Sequence, residues 1–170
     1  MSDEEKELSS LSCEEGRVSL EKFLREMNVK LPRCSDFFCR RSGRKLWVYC
    51  IEDELKEIVA HLIVERERIY HAGFLAGYIE EGRRFVPSLE LGWGLATRGA
   101  VPGELIVMLN EAEEKEFIFG RSVSVPGLPR NRKDLLLVLN KRGEFLGWGK
   151  ALRGSISPVA DIGSYIRSKD

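Results

Sequence analysis

The feature that most constrains this chain is the way its last third is cut into strand-length apolar runs. Residues 135–139 read Leu-Leu-Leu-Val-Leu, Asn140, Lys141, Arg142 and Gly143 interrupt them, and an apolar pattern resumes over residues 145–152. Runs this short, separated by Asn and Gly, read as two strands of a hairpin. Gly147 and Gly149 fall inside the second run. A glycine weakens a strand interior unless a bulge or a close backbone approach calls for it. Short, turn-punctuated strands of this kind argue for a small barrel.

Ahead of the hairpin stands Ser124-Val125-Pro126-Gly127-Leu128-Pro129-Arg130-Asn131-Arg132-Lys133-Asp134. The proline makes a rigid entry, and the glycine lacks a Cβ, so backbone can come close to another backbone. Arg130, Arg132 and Lys133 can neutralise phosphates. Charge makes the cluster more pointed. The 170 residues carry no net charge, yet residues 121–170 hold ten Lys or Arg against four Asp or Glu, so the first 120 are net −6. Single cations near turns are ordinarily solvated surface. A cluster in the basic third of a divided chain points to a polyanion.

No segment is long and apolar enough to span a membrane, and the acidic start Met1-Ser2-Asp3-Glu4-Glu5 lacks the regions of a signal peptide. A cytoplasmic protein is expected. Its four cysteines then need no disulfides and read as buried or incidental thiols, since a zinc site would want a fourth ligand and a tighter pair than Cys34 and Cys39. The absence of Gln and abundance of Glu, Lys and Arg follow the trend of heat-stable proteins.

Along the chain, residues 1–16 read as a loose acidic tail. Ser19 caps a helix that places Leu20, Phe23, Leu24 and Met27 on one face, and Pro32 ends it. Residues 36–39 and 46–51 form a strand pair around a turn at Arg41 to Arg44. Glu52, Asp53 and Glu54 then favour the start of a helix striped by Leu55, Ile58, Val59, Leu62 and Ile63. Strands over 69–79 and 83–86 precede a helix opened by Pro87 and Ser88. Turn chemistry from Arg98 to Gly103 sets a boundary between an α+β domain, residues 17–100, and a second domain, residues 101–170. The second begins with a strand over 105–109, followed by Asn110 three residues before Glu113, a capping box, and a helix that stops at Gly120.

The second domain resembles the PUA domain, a small pseudo-β-barrel that binds RNA. The likeness lies in the Pro126-Gly127 loop, expected between the first helix and second strand, and in Gly147-Trp148-Gly149-Lys150-Ala151. With Phe117-Ile118-Phe119-Gly120 and Ala160-Asp161-Ile162-Gly163-Ser164-Tyr165-Ile166-Arg167, the chain over residues 18–167 is similar to the Nip-seven type of ribosome biogenesis factor, in an archaeal form. The resemblance implies an α+β fold, with a pre-PUA domain followed by a PUA pseudo-barrel. It implies that Arg121, Val125, Pro126, Gly127, Arg130, Arg132, Lys133, Lys150, Arg153, Arg167 and Lys169 share an RNA-binding face. One departure is that Arg153 to Pro158 is shorter than the family pattern, which implies an abbreviated last strand.

The expected function is non-catalytic binding of structured ribosomal or pre-ribosomal RNA during large-subunit assembly, without cofactor or metal, and with the N-terminal domain available to other assembly proteins. Two alternatives differ in class: an RNA-modification enzyme or its targeting subunit, and a protein-interaction module that no longer binds RNA. The first needs a catalytic acid, nucleophile or cofactor loop in residues 1–100. His61 and His71 have no partner there at a useful spacing, and Gly92, Gly94 and Gly99 do not make a dinucleotide fingerprint. Trp148, between two glycines of an inward-alternating strand, belongs to the core rather than to a base-stacking platform. Glu111, Glu113, Glu114 and Glu116 suit a helix N-terminus and a solvated face.

Overall fold

A computed structural model describes residues 9–11, 13–30, 34–65, 69–80, 84–97, 101–125, 127–128 and 135–167. The chain divides into two compact units, residues 1–91 and 92–170.

The N-terminal unit is an antiparallel five-stranded meander, β1 (Ser9–Leu11), β2 (Asp36–Ser42), β3 (Lys45–Ile51), β4 (Phe74–Glu80) and β5 (Phe85–Pro87), in spatial order β1-β2-β3-β4-β5. Helix α1 (Glu14–Glu26) buries Leu20 and Leu24 and sets Gly16 against Cys39 and Val48 on one face of the sheet. Strand side chains alternate faces, so Phe38, Tyr49 and Ile51 point the other way. They form a second core with Val59 of α2 (Asp53–Val64), closed by Ile69 and Ala72.

Part of the segment expected to be a loose tail forms regular structure, β1 over Ser9–Leu11 and the first turn of α1. β1 pairs with β2, with Ser10 opposite Cys39, and α1 begins at Glu14 rather than at Ser19. Its N-cap is Cys13, whose Sγ accepts the Gly16 N–H at 3.4 Å. The cysteine reading is also corrected. Cys13 bonds to Cys39 and Cys34 to Cys50, with Cα separations of 5.8 and 5.4 Å. The β-register causes this: Cys39 lies on the edge that β1 covers, and Cys50 lies opposite Phe37, three residues after Cys34. Disulfides of this kind are rare in the cytosol of mesophiles but frequent in hyperthermophiles, in keeping with the heat-stable composition.

Helix α3 (Leu89–Thr97) carries the division between the units. Ser88 caps it, its Oγ accepting the Leu91 N–H at 3.0 Å. The division falls at Leu91/Gly92, upstream of the break placed at Arg98 to Gly103, because Gly92 already packs on the Phe145 ring of the C-terminal unit.

The C-terminal unit is a curled five-stranded sheet, β6 (Ile106–Leu109), β7 (Val123–Ser124), β8 (Leu135–Asn140), β9 (Phe145–Leu152) and β10 (Ser155–Asp161), in order β6-β8-β9-β10-β7. Only β6 and β8 run parallel. The Asn110–Glu113 capping box opens α4 (Glu111–Ile118), and Phe117 drives into a core of Leu109, Val123, Leu136, Val138, Leu146 and Ile156. The fold is α+β, with the C-terminal strands forming a pseudo-barrel. Its last strand is not abbreviated: β10 has seven residues, and the connection is shorter because β9 and β10 join through a two-residue turn.

Candidate nucleic-acid interface

One end of the barrel gathers several of the expected residues. At the β9–β10 turn, Arg153 and Gly154 have φ of 50° and 85°, two left-handed positions in succession, as a two-residue hairpin with the sheet's twist requires. Non-glycine residues tolerate this conformation only at some cost, and Arg153 keeps its side chain exposed at the tip. Lys150 also points outward from β9, opposite Leu135 on β8 and Ser157 on β10. Beside the turn, the Val125 N–H donates to the Gly154 carbonyl at 3.2 Å, and the Leu128 N–H closes back onto the Val125 carbonyl at 3.2 Å. Val125 and Leu128 pack against the barrel core, so they anchor a short loop in which Gly127 is exposed. Gly127 has φ of 86°, and a Cβ built there meets no atom within 4 Å.

Val125, Gly127 and Arg153 therefore come together, and Lys150 stands exposed three residues back along β9. Pro126, Arg130, Arg132, Lys133 and Lys169 lie outside the described residues. The strand after the basic run begins at Leu135, opposite Lys150.

Arg121 and Arg167 belong to a separate patch. Arg167 sits near Asp161, at the far end of β10 from Arg153, about 20 Å along a strand of this length. Its guanidinium pairs with Asp161 at 2.8 Å and with the Ile118 carbonyl, lying against Gly120. This carboxylate, buried at 3% exposure, raises the Arg167 pKa through its hydrogen bond, so the side chain clamps the C-terminal helix α5 (Ser164–Arg167) to the end of α4. Arg121 pairs with Glu116 at 3.0 Å and lies over the Phe119 ring at 5.9 Å. Phe119 and Tyr165 are exposed beside these two cations, a second surface able to take phosphate and a base.

The glycine expected between the first helix and second strand was placed at Gly127. The structure puts β7 before that residue, so Gly120, with φ of 78°, occupies the helix-to-strand position. The signal for it was already in the sequence, since Gly120 ends α4. The exposed Phe119 was missed, although Phe117 facing inward on the same helix turns a residue two positions on toward solvent. Trp148 is fully buried, edge-on to Phe145 at 6.0 Å, and takes no part in stacking on a ligand. Gly147 and Gly149 meet the expectation of close approach: a Cβ at Gly147 would collide with the Ala160 carbonyl, and one at Gly149 with Ile156.

Comparison with known proteins bears on this end of the chain. Residues 105–170 match the UPF0113 PUA domain. PUA domains in general bind RNA. A UPF0113 protein of Aeropyrum pernix is 34% identical over 102 residues, which is 58% of this chain and 58% of that protein's length. A solved structure of a conserved PUA domain protein from Thermoplasma acidophilum superposes with a TM-score of 0.59 over 96% of this chain and all of that one. At 13% identity that likeness speaks to the fold alone. Among the described residues, no helix is long and apolar enough to cross a membrane.

Proposed function

We propose that this protein is a non-catalytic RNA-binding assembly factor of the Nip-seven type, holding structured ribosomal or pre-ribosomal RNA during large-subunit biogenesis. The observation that carries the reading is the barrel end where Arg153 and the Gly127 loop meet, with Lys150 exposed on the strand leading to the turn, in a PUA-matched unit. Exposed cations at a hairpin turn suit phosphates, and an exposed glycine suits close backbone contact. Recognition by shape and phosphate needs no base code, as expected for structured RNA. Trapping a transient RNA conformation takes binding energy and no nucleophile, cofactor or metal. The acidic N-terminal unit, working in the cytoplasm, would meet other assembly proteins.

Crosslinking the protein to RNA in its own cells and sequencing the attached fragments tests this reading. Enrichment of large-subunit ribosomal RNA precursors is the expected outcome. Enrichment of transfer RNA would favour an RNA-modification role, and absence of any RNA would leave a protein-interaction module.

A further inference from the structure

A second cluster of cations and rings lies in the N-terminal unit. Residues 36–51 carry four Lys or Arg against one Asp, within the first 120 residues whose net charge is −6. The hairpin register sorts them. Arg40, Trp47 and Tyr78 stand opposite one another across β2, β3 and β4, and Ser42, Lys45 and Glu80 form the next row outward on the same face. Helix α2 and the Ile69–Ala72 stretch cover the inner row of Phe38 and Tyr49. The outer rows remain half-buried.

The rings and cations are already in contact. The Trp47 and Tyr78 centroids are 5.2 Å apart. Lys45 Nζ stands 4.5 Å from the Tyr78 centroid and 5.6 Å from that of Trp47. Arg40 lies over the exposed Tyr70 ring at 5.6 Å, and Tyr49 donates to the Tyr70 carbonyl at 3.2 Å, holding that ring at the border of the face. Arg44 at the turn and Arg84 ahead of β5 are exposed. Glu80 is the carboxylate facing Lys45, whereas Asp36 is engaged with Lys56 at the other end of β2, and Arg41 with Glu15 on the opposite face.

We infer that this face is a second contact site, for a single-stranded RNA segment, with bases on Trp47 and Tyr78 and phosphates on Arg44, Lys45 and Arg84. Aromatic rings on a sheet flanked by cations accept bases of any sequence, because every base has a π-face. Lys45 is suited to change partner. Its ammonium caps the rings in the free protein, and its flexible stem lets it turn to a phosphate when a base takes the ring. The inference rests on the reading of the protein as an RNA binder and adds to it a strand-specific site on the other unit. Such a site would let one protein hold a folded element and the unpaired strand beside it.

The test uses the full chain with Trp93→Phe. Trp93 is exposed and Trp148 fully buried, so Trp47 becomes the tryptophan that a ligand can reach. Decauridylate should quench its fluorescence saturably. Lys45→Glu with Arg44→Glu, and separately Tyr78→Leu, should each weaken that binding about tenfold or more, as loss of one stacked base or two phosphate contacts does, with melting temperatures near the parent's. No quenching of the parent, or quenching that persists unchanged in both variants, overturns the site. Equal quenching by polyglutamate overturns it in favour of an acidic protein ligand. Binding of a labelled structured ribosomal RNA fragment, measured alongside, reports on the barrel, so the two readings fail separately.

Discussion

The two units each fold a five-stranded sheet around helices, and they secure it differently. The N-terminal unit carries both disulfides and divides its apolar residues between the two faces of its sheet, Leu20 and Leu24 of α1 against one and Phe38, Tyr49, Ile51, Val59, Ile69 and Ala72 on the other. α2 itself buries only Val59, while Ile58 and Val64 remain 57% and 75% exposed. The C-terminal unit contains no cysteine and gathers its apolar residues in one centre, in which Leu109, Phe117, Leu136, Val138 and Ile156 are all fully buried. Small cores often need covalent staples where larger ones do not. Here that contrast falls within one chain, and it separates what stabilises each unit from what each unit presents to a ligand.

Reduction should break the symmetry most. The bridges close loops with sequence separations of 26 and 16 residues, for which chain entropy gives about 3 kcal/mol each. Under reducing conditions, hydrogen exchange should accelerate across α1, β2 and β3 and leave β8 to β10 protected. Equal loss of protection in both units would show that their stabilities are coupled and that the contrast is false.

The complementary perturbation is Phe117→Ala. Emptying a fully buried aromatic site costs about 3–5 kcal/mol. The loss should appear in β6, β8 and β10 by exchange, with reduction still acting on the other unit. If the N-terminal unit loses protection to the same degree, the two cores are not independent.

These contrasts also mark what the sequence made legible. The Leu135–Leu152 hairpin, the Asn110–Glu113 capping box, the α2 stripe and the glycines of β9 depend on neighbours within a few residues, and local pattern reports them well. β1 and the disulfides depend on which strand lies beside which. A three-residue Ser-Ser-Leu strand carries no periodicity of its own, and a cysteine pair has no spacing rule until the register between β1, β2 and β3 is fixed. The candidate site divides the same way. Lys150 and the Gly127 loop were recognisable from chemistry, but only the two-residue Arg153–Gly154 turn shows that they share one end of the barrel. Arg167 reads from sequence as another free cation, because nothing local announces that Asp161 is buried beneath it.

The separation of the two basic patches can be sharpened by charge reversal. Lys150→Glu with Arg153→Glu should weaken binding of structured ribosomal RNA about tenfold to a hundredfold and reduce the slope of log affinity against log salt by about 1–2. Arg121→Glu, whose guanidinium is already engaged with Glu116, should cost about threefold or less at the same salt concentration. Reversed ranking would place the RNA on the Phe119–Tyr165 surface instead.

The smallest effect, and the finest discrimination, lies at Gly127. Two causes could demand a glycine there, the left-handed φ of 86° and the need for open space against RNA. Among the described residues, no atom lies within 4 Å of a Cβ built there. Gly127→Asn separates the causes, because Asn adopts left-handed backbone with little penalty, whereas Gly127→Val incurs about 1–2 kcal/mol of local strain. Leu128→Ala controls for packing, since Leu128 lies against the barrel core. If the loop backbone lies on RNA, Gly127→Asn should melt within about 2 °C of the parent and still bind about threefold to tenfold more weakly, because its Cβ occupies the contact. Binding at the parental level by Gly127→Asn, with loss only in Gly127→Val, would mean that the glycine serves the turn alone and that Lys150 and Arg153 meet the RNA without it.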